Sequence, residues 1–307
     1  MKSIVIIFPY FGTLPVQYKM WRVSALQNPS IDFMFFTDTD VEPAKNIIVH
    51  KMQFADFQQI VQKAFDFPIV LDRPYKLCEY KQAYGHILKD YIKGYDFWGF
   101  GDLDLVYGDL RTFFTEEALL HKFLLGWGHL TLLRNDDDAV GYFMQHIDGY
   151  QDYKNAFTTS KITFFDEYGY NGCSDKWRDQ RPQDCWLEWP FDNASKPKQS
   201  YHFNSLTRGW KQVVFEHIDN KLYMLRFHHG NLERKESLYA HFQHRGFMKD
   251  KVTNYSHFLV TPNAIIDYPK HFVSLCLRWH CRNRSLMTKY YQWKDRIIWK
   301  LVLSKTK

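Results

Sequence analysis

Four short apolar runs, at 4–8, 31–36, 46–50 and 97–100, alternate with stretches of helical periodicity at about 15–27, 54–65 and 74–93. No other feature narrows the fold as much. Strands separated by helices run in the same direction, so the alternation implies an α/β body with a mainly parallel sheet flanked by helices. The third helix opens at Arg73-Pro74 and carries Leu77, Tyr80, Tyr84, Ile87, Leu88 and Tyr91 on one stripe. The fourth run, Phe97-Trp98-Gly99-Phe100, leads directly into Gly101-Asp102-Leu103-Asp104.

Beyond residue 104 the order loosens. Strands are expected at 123–126 and 130–133, with a helix opening at Asn135. Residues 150–210 are rich in Trp, Tyr, Asp, Gly and Pro without clear period, as in a binding-loop region. A hairpin is expected from 212–217 and 221–228 around the turn Asp219-Asn220. A helical segment over 237–245, a strand near 257–261 and a basic C-terminal helix complete the chain. The division expected is one catalytic-type domain over 1–268, with a nucleotide-binding part to residue 110 and an acceptor-side part over 111–268, followed by a tail over 269–307.

Composition excludes several classes. With 307 residues and 45% hydrophobic residues the chain is neither disordered nor too short for a core. Its five cysteines form no C-x-x-C pair, which argues against a disulfide scaffold or structural zinc and for a reducing compartment. The apolar run at the start is too short for a secretion signal, and no run is long enough to span a bilayer. A cytoplasmic location is expected, with peripheral attachment to the cytoplasmic membrane face as its variant. The net charge of +6 is unevenly distributed: Lys270–Lys307 holds ten Lys and Arg against Asp295 alone, so the rest of the chain is slightly acidic. No nucleic-acid partner is expected of such a body. In the tail, Leu286, Tyr290, Trp293, Ile297 and Leu301 recur at helical spacing beside Lys289, Lys294, Arg296 and Lys300. That pattern suits an anionic membrane surface, and equally a helix docked on the body with its cations in water.

Asp102 and Asp104, two apart at the end of an apolar strand, can converge on one hard cation such as Mg2+ or Mn2+, leaving positions open for phosphate oxygens. The alternative is a solvated turn. Pro9, Tyr10 and Phe11 close the first strand and Asp38 the second, placing them at the same sheet edge, where ligands bind in open α/β sheets. An aromatic ring beside a carboxylate can stack on a base and accept hydrogen bonds from it or from ribose; Asp38 also reads as an ordinary turn residue. Arg73, Lys76 and Lys81 surround a helix start that favours an anion, or else form a solvated face.

This ordered set, with Lys76…Lys81-x-x-Tyr84-Gly85 and Phe100-Gly101-Asp102-Leu103-Asp104 at its centre, resembles the GT-A class of nucleotide-sugar glycosyltransferases, which have a Rossmann-like fold. Gly128–Asn135, Phe165-Asp166-Glu167 and His241-Phe242-Gln243-His244-Arg245 extend the resemblance to a poorly characterised bacterial group associated with capsule and cell-surface polysaccharide synthesis. It covers roughly residues 1–250.

The resemblance implies a metal-dependent transferase moving a sugar from a nucleotide-diphosphate donor, most plausibly UDP-linked, to a saccharide or lipid-linked saccharide acceptor. Asp102 and Asp104 would hold Mn2+ or Mg2+, with Asp102 also able to reach ribose. Lys76 and Lys81 would supplement the metal on the phosphates. A late-strand histidine, His228 or His229, would complete the ligand set, and His241 and Arg245 would grip phosphate. Asp166 or Glu167 would deprotonate the acceptor if the enzyme inverts, with Asp184 and Glu188 competing for that role. Tyr168, Tyr170, Trp177, Trp186 and Trp189 offer flat faces for a sugar ring. Two alternatives remain at this point: a nucleotide-sugar hydrolase or other metal-dependent phosphoryl enzyme, and a non-enzymatic sugar-binding protein.

Overall fold

A computed structural model describes residues 1–187, 194–195, 203–205, 209–242, 249–261, 264–271, 273–281, 286, 289–290 and 293. It is a mixed α/β structure with two compact units, each assembled from discontinuous stretches of chain. The boundaries differ from a division at 110 and 268. One unit comprises 1–14, 28–102 and 111–188; the other comprises 15–27, 103–110 and 189–307.

The first unit is built on a seven-stranded sheet. Ile4–Pro9 lies between Asp32–Thr37 and Phe97–Gly101, parallel to both, and Ile47–Lys51 extends the parallel part beyond Asp32–Thr37. Residues Ile4 to Ile7 are all buried, because a parallel strand covered on both faces needs a continuous apolar run. The sheet then changes direction. Leu130–Arg134 runs antiparallel to Phe97–Gly101, followed by Phe123–Trp127 and the short Cys185–Trp186. Gly99 permits this join: a Cβ there would lie 2.3 Å from the Thr131 carbonyl oxygen.

The helix expected over 74–93 is instead a 3-10 segment, Pro74–Ala83, followed by one α-helical turn, Tyr84–Ile87. With three residues per turn, side chains align in rows at i and i+3. Leu77, Tyr80 and Ala83 form one buried row; Lys76, Glu79 and Gln82 form another. Tyr75, Cys78 and Lys81 make up the third and least buried row. Lys76 and Lys81 therefore lie in different rows. Of the region 150–210, the described residues 150–187 are more regular than their composition indicated, with helices at Tyr153–Phe157 and Cys173–Gln180.

The second unit holds an eight-stranded sheet that is antiparallel except at one edge pair. The expected hairpin is present as Lys211–Ile218 and Lys221–His228, with Asp219 and Asn220 both at positive φ, as a tight two-residue turn requires. Hairpin connections force the antiparallel arrangement, so the mainly parallel expectation holds only for part of the first unit. The helix expected over 237–245 is corrected over 237–242; residues 243–245 lie outside the described residues. Residues up to Ser237 complete the strand Asn231–Ser237, and Tyr239–His241 is a second short strand pairing with Leu105–Tyr107. Helices Tyr18–Leu26 and Val273–His280 belong to this unit. No helix among the described residues is long and apolar enough to cross a membrane.

Candidate active site

In the first unit, parallel register brings three expected residues to one edge. Ile7 lies opposite Phe100 and Pro9 opposite Phe36, so Tyr10, Asp38 and Asp102 all follow the carboxyl ends of adjacent strands. The Tyr10 N–H donates to the Phe36 carbonyl at 3.0 Å, and the Gly12 N–H donates to Asp38 Oδ1 at 2.9 Å. Tyr10 turns its hydroxyl to the Thr13 carbonyl. Phe11 is buried between Phe54 and Phe57, so its ring packs in the core rather than on a base.

Asp102 continues the sheet pairing, its N–H donating to the His129 carbonyl. Lys81 Nζ lies 2.8 Å from Asp102 Oδ1, 2.7 Å from the Gly128 carbonyl and 3.6 Å from Asp166 Oδ2. Burial opposes the charge on Lys81, yet Asp102 and Asp166 together hold its pKa well above the usual lysine range. Asp166 shows the converse. Burial pushes its carboxyl well above the usual carboxylate range, Lys81 pulls it back, and the neighbouring Glu167 and Asp102 charges push it further up. One ammonium does not neutralise this many carboxylates.

Gly128 makes room for the cluster: a Cβ there would meet Glu167 Oε1 at 2.5 Å and Asp166 Oδ2 at 3.0 Å. Trp127 stacks on His129 and tilts against Tyr168, forming an aromatic wall beside Asp166 and Glu167. Of the other aromatic residues expected at an acceptor, Tyr170 is exposed and stacks on Phe164, Trp186 is half-buried, and Trp177 is a core residue stacked on Phe123. Asp184 faces Arg181 at 3.9 Å, and Glu188 and Trp189 lie outside the described residues.

Lys76 is not at this edge. It is fully buried, donating to the carbonyls of Ala156 and Lys161, with Glu79 at 3.6 Å. Glu79 in turn accepts from the Thr163 hydroxyl and from the Phe164 N–H at 2.8 Å. The pair straps residues 156–164 to the 3-10 segment, and a phosphate role for Lys76 has no support in this geometry. Cys78, Glu79 and Asp166 offer potential ligand atoms within 4.8 Å of one another. That set suits a metal poorly: burial pushes the Cys78 thiol up to about 12, and Glu79 is already engaged.

In the second unit, Leu105 pairs with His241, and the Phe242 N–H donates to the Asp104 carbonyl at 3.0 Å. This ladder brings His241 Nε2 to 3.5 Å from Asp104 Oδ1, with His241 almost entirely buried. The histidine beside Asp104 is thus His241, expected on phosphate, and not His228 or His229. Those two occupy the tip of a hairpin, where His228 lies 3.9 Å from Glu233 and stacks edge-on against His229. From the Leu222–Ser237 pair to the His228–Asn231 pair the ladder runs about 20 Å, which removes them from Asp104. Arg245 lies outside the described residues.

A family model described as "Family of unknown function (DUF6625)" matches residues 6–269. The chain belongs to the DUF6625 family. No curated protein and no solved structure matches it. The DUF6625 region takes in every candidate site residue above and stops one residue short of the basic segment that begins at Lys270.

Proposed function

We propose that this DUF6625 protein is a GT-A-like, metal-dependent glycosyltransferase that uses a nucleotide-diphosphate sugar. The observation that carries the reading is the contact of Asp104 with His241, on a chain segment that also supplies Asp102 two residues earlier. A carboxylate and an imidazole in contact fit Mn2+ or Mg2+, and Asp104 and His241 would hold the ion, with Asp102, two residues earlier in the chain, joining them as the resemblance implies. When bound, such a cation neutralises charge developing on a departing nucleoside diphosphate.

The chain's own groups supply the rest. Lys81, held between Asp102 and Asp166, fixes the Asp102 carboxylate and adds positive charge at the edge where phosphates would lie. Tyr10 and Asp38 follow the first two strands, where a base and ribose would be received. Asp166 and Glu167, beside the Trp127–Tyr168 wall, are the groups for the acceptor hydroxyl. Its proton would pass to one of these carboxylates as the new glycosidic bond forms at C1 and the bond from C1 to phosphate breaks. Burial raises the Asp166 carboxyl above the usual carboxylate range, which makes its carboxylate a stronger proton acceptor.

The test is thermal unfolding of wild type and Asp104→Ala with UDP, GDP or CMP, each with and without Mn2+. Ligand at a hundred times its Kd stabilises the native state by about 2.7 kcal/mol, a shift of several degrees. Stabilisation by one nucleotide that needs Mn2+ and is lost in Asp104→Ala is expected. The absence of any nucleotide effect would defeat the reading. Sugar release at full rate without acceptor would turn it into a hydrolase.

A further inference from the structure

We propose that the C-terminal segment beginning at Val273 docks the protein on an anionic phospholipid surface. Helix Val273–His280 is anchored on one side to the sheet of its own unit. Leu277 is completely buried with Val214, Leu225 and Leu259, the Arg278 guanidinium lies over the Phe227 ring, and it donates to the Gly230 carbonyl at 2.7 Å. The rest of the helix faces outward, with Leu275 and Trp279 exposed.

The exposure continues along the chain. Leu275, Trp279, Leu286, Tyr290 and Trp293 are each between 52% and 79% exposed. Leu275 and Trp279 share one face of helix Val273–His280, four residues apart, and Leu286, Tyr290 and Trp293 recur in the sequence at helical spacing. Five large exposed apolar or aromatic side chains between 275 and 293 are more than the scattered exposure common on soluble surfaces. Lys289 is exposed among them, and Lys270–Lys307 carries ten cations against one acid.

Charge selects the occupant. Exposed apolar and aromatic side chains in a strongly positive segment match a surface that is apolar within and anionic at its face, which describes a bilayer containing acidic phospholipid. A second copy of this chain would bring a like-charged segment against these residues. The amphipathic aromatic residues suit the headgroup level, where one edge of a ring is wet and the rest is not. The inference is independent of the reaction catalysed.

The experiment is sedimentation of the full chain with phosphatidylcholine vesicles, with and without about 30% phosphatidylserine, at about 0.1 and 0.5 M NaCl. Two variants accompany wild type: Leu286→Glu/Trp293→Glu and Lys289→Glu/Lys294→Glu/Lys300→Glu. Wild type is expected to bind the anionic vesicles, to lose at least about tenfold in affinity at the higher salt, and to lose at least as much in each variant. Equal binding to neutral vesicles, or unchanged binding in both variants, would overturn the proposal. So would a wild type that ignores vesicles but dimerises through Trp293 in sedimentation velocity, or is retained on RNA alone. Far-ultraviolet circular dichroism of both variants controls for folding.

Discussion

His217 should set the acid limit of the second unit's stability. It lies on Lys211–Ile218 facing inward with Val213 and Phe215, fully buried, its ring stacked at 4.6 Å on Phe258. Neither ring nitrogen has a hydrogen-bond partner among the described residues. Burial, with His257 adding a like charge, lowers its pKa from 6.5 to about 4. The unfolded chain therefore binds the proton more tightly than the folded one, and stability is lost as pH falls from about 6.5 towards 4. The loss is about 1–2 kcal/mol at pH 5.5 and about 2–3 kcal/mol at pH 4.5, and it vanishes above about pH 7.5. His217→Phe keeps a flat ring against Phe258 and removes the titrating group. Urea unfolding of wild type and variant across this range measures the difference directly. The variant should gain on wild type by those amounts as pH falls. A stability difference constant to within about 0.5 kcal/mol between pH 7.5 and 4.5 would refute the argument.

Two further substitutions separate structural from functional roles. Lys76→Met should lower stability by about 3–5 kcal/mol, because it leaves Glu79 charged and buried without its cation. The double variant Lys76→Met/Glu79→Gln should recover part of that loss in calorimetry, and a single variant within 1 kcal/mol of wild type would be incompatible with a buried strap. Gly128→Ala should displace Glu167 at little cost to the melting temperature, since the closest atom is the end of a flexible side chain. If Asp166 and Glu167 handle the acceptor, transfer should fall at least about tenfold while metal-dependent nucleotide stabilisation persists. Equal transfer rates would count against that assignment.

The parallel part of the fold was legible because buried parallel strands leave unbroken apolar runs, as at Ile4–Ile7 and Phe97–Phe100. The hairpin was legible from Asp219-Asn220, two residues that tolerate positive φ. The 3-10 geometry of Pro74–Ala83 was not, since its apolar residues fit a helical stripe as well; the signal available was Lys76 and Glu79 at i, i+3. Nothing local marked His241 as the partner of Asp104. Its place depends on the pairing of Tyr239–His241 with Leu105–Tyr107, a contact between segments more than 130 residues apart. Histidine at the end of the apolar run Tyr223–Phe227 looked better placed, but that strand ends at a hairpin tip.

That long-range pairing also bears on how the protein comes into being. During synthesis, Asp102 and Asp104 leave the ribosome long before His241, and the strand at 105–107 has no partner until residues 239–241 emerge. A chain interrupted anywhere in that interval would contain the two acids without the imidazole. If Asp104 and His241 hold a cation as proposed, competence to retain it arises late and marks synthesis completed through residue 241.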